Sequence, residues 1–361
     1  MQHWKEGGHD QLCKPIKRAG GAEQYNANKK YAEAVAVAAE ACADDTKGQT
    51  CYICTQALHW KTKEGLVRGC ACRGTAGFAH VSCLAEQAKI QVAEAEENNL
   101  GLKVINERFT RWHTCGLCEQ GYHGVVCCAL GWACWKTYVG RPETAEIRLG
   151  AISVLGNGLG AAEYHEDALS VKEAFLSMMR RFGSPEEAIL VAQGNLANTY
   201  EALGHHEKAL SMERDTYSGR VKLNGEEHEK TVLAVANYAG VLAKLNRFEE
   251  AKAVLRKTMP VARRVLGDKD RLMLKMRWQY ASTLYNDNGA TLDDLRESVE
   301  TLESVAPLWK RVFGEAQPET PRVELALEDA REALAAASEQ HNYIPRGGTW
   351  LGGLARPKQS S

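Results

Sequence analysis

Eight side chains between residues 51 and 118 have the types and spacing to hold metal. They run Cys51-Tyr-Ile-Cys54, fifteen residues, Cys70-Ala-Cys72, seven residues, His80-Val-Ser-Cys83, thirty-one residues, and Cys115-Gly-Leu-Cys118. Thiolate and imidazole are the ligands that tetrahedral zinc prefers, and two residues between partners let a tight turn present both side chains to one ion. Eight ligands make two closed sites, hence two Zn2+ ions. A site with four protein ligands has no open position for water, so the metal is structural and holds up a surface that something else binds.

The rest of the chain must position that block. Its 361 residues suffice for two or three domains, and an apolar content of 44% supplies their cores. Net charge is −1, with 45 basic against 46 acidic residues, which gives no electrostatic argument for a nucleic-acid partner. The start, Met1-Gln-His-Trp-Lys-Glu, lacks the apolar stretch of a signal peptide. The most apolar run, Val125 to Trp135, is about half of the roughly 20 residues that a membrane helix needs. A soluble cytoplasmic or nuclear protein without a membrane span is expected, and its twelve cysteines read as metal ligands and reduced thiols rather than disulfides.

Ahead of the block, Trp4 to Cys13 resembles the carboxy-terminal end of a MYND zinc finger, whose last two ligands are a histidine and a cysteine. The earlier ligands of such a module would fall at or before Met1, so His9 and Cys13 are expected to be a remnant metal pair. From Ala22 to Ala43, Tyr31, Val35, Ala38 and Cys42 recur at spacings of four, three and four, which places them on one helical face. Cys42 reads as a small core residue of that face.

The cysteine-rich block resembles the RING-CH, or variant RING, zinc finger. Its order of four cysteines, one histidine and three cysteines fits, and the string Cys72-Arg-Gly-Thr-Ala-Gly-Phe-Ala-His80-Val-Ser-Cys83-Leu84 is especially close. A PHD finger shares the ligand order, but usually has a longer gap between the third and fourth ligands and a shorter one before the histidine. The resemblance implies a cross-brace in which Cys51, Cys54, His80 and Cys83 hold one zinc and Cys70, Cys72, Cys115 and Cys118 hold the other. It also implies a ubiquitin ligase that docks a charged ubiquitin-conjugating enzyme through Ile53 and Leu84, with no nucleophile of its own. Two features depart from the family. Glu86-Gln87-Ala88 stands where a tryptophan is often found, and the gap before Cys115 is long, with Ala85 to Glu97 reading as helix. His59, His113 and His123 are surplus to the ligand set and read as surface groups or as partners that orient a ligand. Trp112 and the run Val125 to Trp135 are expected to pack on the finger, with Cys127, Leu130 and Cys134 on one buried face.

Beyond Pro142 cysteine disappears and self-similarity replaces it. Segments ending at Gly183, Gly225, Gly267 and Gly314 are spaced by 42, 42 and 47 residues, the mark of stacked helical hairpins. The units resemble tetratricopeptide repeats of the kinesin-light-chain type: Asn195-Leu-Ala-Asn-Thr-Tyr200-Glu-Ala-Leu203-Gly204 and Glu207-Lys-Ala209-Leu210 supply two helices with Gly204 at the turn. Ala197, Ala209, Ala239, Ala251 and Ala281 fall where helices must approach closely, the insertion at Asn286 to Thr291 belongs in a turn, and Arg322 to Ala337 makes a cap. The resemblance implies a concave peptide groove in which Asn195, Asn198 and Asn237 hold an extended ligand. Arg256, Lys257, Arg263, Arg264, Lys269 and Arg271 read either as selectors of an acidic peptide or as a solvated face.

The chain is therefore expected to be mainly α, a small zinc-stabilised RING-like α+β finger followed by an α-solenoid of tetratricopeptide repeats. The divisions are a MYND remnant at 1–20, a connecting helix at 22–48, the finger at 49–120, a linking helix at 121–142, the repeats and cap at 145–337, and a disordered tail at 338–361. Two functions follow: a ligase whose finger recruits a conjugating enzyme while the repeats bind a peptide or protein substrate, or a non-catalytic interaction adaptor.

Overall fold

The computed structural model describes residues 9–315 and 318–343, and places fourteen α-helices among them. Helices α1 (His9–Ala19) and α2 (Ala22–Ala41) precede the metal-binding loops. Helix α3 (Val81–Glu97) starts at His80, and α4 (Gly101–Phe109) with a 3-10 turn at Thr110–Trp112 fills the long gap before Cys115. The β part of the finger amounts, among the described residues, to two isolated antiparallel bridges, Val67 with Ala79 and Thr114 with Gly121. Metal ligation can replace a sheet here because the loops are too short to build a ladder and the knuckles fix their ends.

The face read from the spacing of Tyr31, Val35, Ala38 and Cys42 is the one that packs on the finger. Val35 and Ala38 share a core with Leu66, Phe78, Val81 and Leu84, and Tyr31 and Cys42 pack at its edge. Helix α5 (Gly124–Tyr138) follows. It is apolar almost all round, which suits a helix covered on every side. Val126, Ala129 and Leu130 face the finger core. Ala133 and Cys134 join Trp112, Ala88 and Val92, and Cys128 meets Leu155 and Leu159 of the next helix. The expected linking helix is thus the hub between finger and repeats.

The array consists of α6 (Glu146–Ala161) with α7 (His165–Arg181), α8 (Glu186–Ala202) with α9 (His206–Asn224), α10 (Glu229–Lys244) with α11 (Phe248–Leu266), and α12 (Arg271–Asn286) with α13 (Leu292–Phe313). Helix α14 (Thr320–Tyr343) caps it, so residues 338–343 continue the cap; the remainder of the expected tail, 344–361, lies outside the described residues. The glycines that marked the repeat in the sequence are the helix stops: Gly225, Gly267 and Gly314 follow α9, α11 and α13 at φ of 81°, 84° and 85°, a region closed to most side chains. Ala197, Ala209, Ala239, Ala251 and Ala281 are all fully buried between helices. The insertion forms the turn before α13, closed by a capping box of Thr291 and Asp294.

The closest helix approach is at α5–α6. A Cβ at Gly158 would lie 2.7 Å from the Cys127 carbonyl oxygen and 3.1 Å from Cys128 Cα, and one at Gly131 would lie 3.1 Å from Leu155 Cα. Finger and first repeat therefore share buried clusters across this seam. No described helix is long and apolar enough to cross a membrane.

Candidate metal centre

The eight ligands converge in two groups, Cys51, Cys54, His80 and Cys83, and Cys70, Cys72, Cys115 and Cys118, with the ligand atoms of each group within 4.8 Å of one another. A zinc tetrahedron with metal–sulfur distances of about 2.3 Å has edges of about 3.8 Å. Cys72 Sγ lies 3.8 Å from Cys115 Sγ, and His80 Nδ1 lies 3.3 Å from Cys54 Sγ and 3.6 Å from Cys83 Sγ. The geometry fits two zinc ions without rearrangement.

Local backbone explains why each pair faces inward. The amides of Ile53 and Cys54 point at Cys51 Sγ at 3.4 and 3.5 Å, and the Leu117 amide points at Cys115 Sγ at 3.4 Å. These donors stabilise thiolate, the form that binds metal. His80 Nε2 lies 3.4 Å from the Ala57 carbonyl, so it carries the proton and leaves Nδ1 for the metal. Gly77, at φ 85°, lets the loop pass the second site: a Cβ there would lie 2.6 Å from Cys72 Cβ and 3.0 Å from its sulfur.

The donor set calls for a cation. Hydrogen bonding from Cys70 pulls the Cys115 thiol down to about 4, while burial pushes Cys72 up to about 12 and the bond to Cys115 pushes Cys70 far above the usual thiol range. Four sulfurs this close cannot all ionise alone, and a divalent ion is what permits it.

The other sequence candidates separate clearly. Ile53 is 36% exposed at the tip of the first knuckle, whereas Leu84 is buried in the finger core and offers nothing to a partner. The reason is α3: it begins at Val81, so Leu84 falls on its inward face. Sequence reading missed Leu117, 52% exposed between the last cysteine pair, although the logic that picked Ile53 applies to it equally. Leu58 and Trp60 also stand exposed on the loop after Cys54. His59, His113 and His123 enter neither cluster. Cys13 sits exposed on α1 outside both clusters, and the His9 side chain lies outside the described residues.

On the repeats, Asn198 and Asn237 line a cavity of about 680 Å³ with Glu201, Lys275, Trp278 and Arg322. Asn195 does not line it; its carbonyl accepts a hydrogen bond from the buried Lys172 ammonium at 3.0 Å. Of the basic positions, Arg256, Lys257, Arg263, Arg264 and Arg271 are each paired with a carboxylate, which is the solvated-face reading. Beside the cavity, Glu213 is fully buried, its carboxylate within the influence of the Asn237 side chain but without a hydrogen bond of ordinary length. Burial raises it to about 8, with Glu201 adding repulsion.

Because the folded-state value lies above the unfolded one, Glu213 leaves stability intact below about pH 4.5 and withdraws it as pH rises to about 8. Glu213→Gln is expected to flatten that slope and to stabilise the chain by on the order of 3 kcal/mol at pH 8. Urea denaturation at pH 5 and pH 8 checks this; equal pH slopes for the two proteins would refute it.

Comparison with known proteins agrees with this geometry. Residues 51–99 match the RING-variant domain, and residues 189–229 and 234–271 match the tetratricopeptide repeat. The chain carries a RING-variant finger and tetratricopeptide repeats. The match to the RING-variant domain stops short of Cys115 and Cys118, which the fold brings to the second site. Among curated proteins nothing matches. Solved structures similar to it include BtubC (BKLC) from P. vanneervenii, at 14% identity over 77% of this chain and 99% of that one with a TM-score of 0.38. Another holds the nearly identical TPR-like repeats of a candidate kinesin light chain from Podosopora anserina, at 18% identity over 64% and 97% with a TM-score of 0.41.

Proposed function

We propose that the RING-variant finger docks a ubiquitin-conjugating enzyme and that the repeats hold the protein to be modified, making the chain a ubiquitin ligase. The observation that carries this reading is the exposure of Ile53 and Leu117, one apolar side chain at the tip of each zinc knuckle. Solvent-exposed apolar groups on a rigid, metal-held loop favour a partner over a core. The eight ligands would hold two zinc ions whose chemistry is structural. The finger would contribute position, holding a ubiquitin thioester where a substrate lysine can reach it. A peptide lying along Asn198 and Asn237 would be presented by a body continuous with the finger.

Ubiquitin transfer with a panel of conjugating enzymes tests this. With a competent enzyme, Ile53→Ala is expected to lower chain formation at least tenfold, the loss of about 1.4 kcal/mol of docking free energy, while two zinc ions stay bound. Leu84→Ala would act differently, destabilising the finger by about 2–5 kcal/mol through a cavity. No chains with any enzyme, from protein that retains two zinc ions, would sink the ligase reading. The second reading, a non-catalytic adaptor, is favoured by the burial of Leu84 and by Glu86-Gln87-Ala88 in place of the family's tryptophan.

A further inference from the structure

Among the described residues the finger meets the array along α6, where the contact is apolar, and again at the end of α13, where polar groups make it. At α5–α6 the contact is backbone against backbone through Gly131 and Gly158. At the far end, 192 residues away in sequence, the second zinc knuckle meets the end of α13. Gln120 Nε2, two residues after Cys118, donates to the Val312 carbonyl at 3.5 Å. The Arg73 guanidinium, next to Cys72, comes within 3.5 Å of where a Cβ on Gly314 would lie, and Gly314 is buried. None of the apolar cores joins these two regions.

We propose that the second zinc knuckle is a clasp that closes the repeat array on itself by holding the end of α13, and that it can open while the α5–α6 seam stays shut. A contact that crosses between two separate apolar cores through a few polar groups has the low local stability from which switching elements are drawn. The residues that reach α13 are neighbours of zinc ligands, so the geometry of the second site sets whether Gln120 and Arg73 reach. The cavity lined by Asn198 and Asn237 also reaches Glu319 and Arg322, just past the clasped turn. The clasp itself needs no ligase activity. A partner that displaced it would swing the finger relative to the groove about the α5–α6 seam.

Hydrogen exchange on the full zinc-loaded chain tests this, with native mass spectrometry to count metal. The double variant Arg73→Ala, Gln120→Ala is expected to speed exchange of the amides from Leu308 to Gly314 about tenfold. Amides of α5 and α6 should be unchanged, and two zinc ions should remain. Removing zinc from the wild-type chain with a chelator is expected to speed the same α13 amides. Unchanged exchange at Leu308 to Gly314 in the double variant, with both metals in place, would overturn the clasp, as would chelation that leaves those amides untouched. Loss of metal from the double variant would also overturn it, because the two side chains would then serve the site and not the contact. Arg73→Lys with Gln120→Glu, which keeps charge at 73 and removes the donor at 120, is expected to show intermediate exchange.

Discussion

Cys83→Ser is expected to cost the chain both zinc ions and to loosen structure well beyond the finger. Cys83 shares the first site with Cys51, Cys54 and His80, and the two sites interleave, with Cys70 and Cys72 between Cys54 and His80 and with Cys115 and Cys118 after Cys83. Losing one thiolate leaves three ligands and a buried hydroxyl that is a poor zinc donor, so the binding free energy that folds the loops is forfeited. Sequence alone predicts a finger that unfolds beside repeats that stay helical. The structure moves that boundary. Helices α3 and α5 pack through Ala88, Val92, Ala133 and Cys134 against Ala151 and Val154 of α6, so the first repeat loses its cover when the finger melts. Helices α10 to α14 keep cores of their own, whereas α8 and α9 share theirs with Ile152 of α6 and Phe175, Leu176 and Met179 of α7. Circular dichroism should therefore show a partial helix loss confined to the first half of the chain, with a lower thermal midpoint for the remainder. Complete loss of helix, or none, would contradict the shared seam.

Gly158→Ala is expected to loosen the seam between finger and repeats. Its Cβ would meet the Cys127 carbonyl oxygen at 2.7 Å and Cys128 Cα at 3.1 Å, both backbone atoms that cannot rotate away. The helices must separate, at a cost of about 3 kcal/mol, which outweighs the roughly 1 kcal/mol that alanine gains over glycine in a helix. Gly160→Ala, on the same helix, is the control: its Cβ would meet only the Lys172 ammonium at 3.7 Å, so stability should be unchanged or slightly higher. Urea titrations of the two variants should differ by the full amount. If Gly158→Ala unfolds no earlier than Gly160→Ala, the close approach is not what joins finger to repeats.

The metal centre was legible because ligand chemistry is local: a Cys-X2-Cys pair declares itself whatever surrounds it. The array was legible for a related reason, since Gly183, Gly225, Gly267 and Gly314 repeat a helix stop at nearly fixed period and alanines repeat between them. Partner surfaces were less so. Leu84 follows its ligand as the family resemblance suggests, yet α3 turns it inward, while Leu117 sits exposed in a pair whose spacing speaks only of metal. Asn195 resembles Asn198 and Asn237 in sequence, and only packing shows that the cavity excludes it. The seam at Gly131 and Gly158 and the contact of Gln120 with Val312 depend on which helix lies opposite, and no short-range pattern encodes that. Glu213 gave no signal, because an acidic residue on a helix normally reads as solvated.

Native mass spectrometry of the wild-type chain during stepwise chelation tests the central claim most directly. Two interleaved closed sites predict two zinc ions per chain, passing to none with little of the one-zinc species and with loss of α3 and α5 in step. A folded chain that carries no zinc, or a stable one-zinc form with an intact finger, would contradict the account.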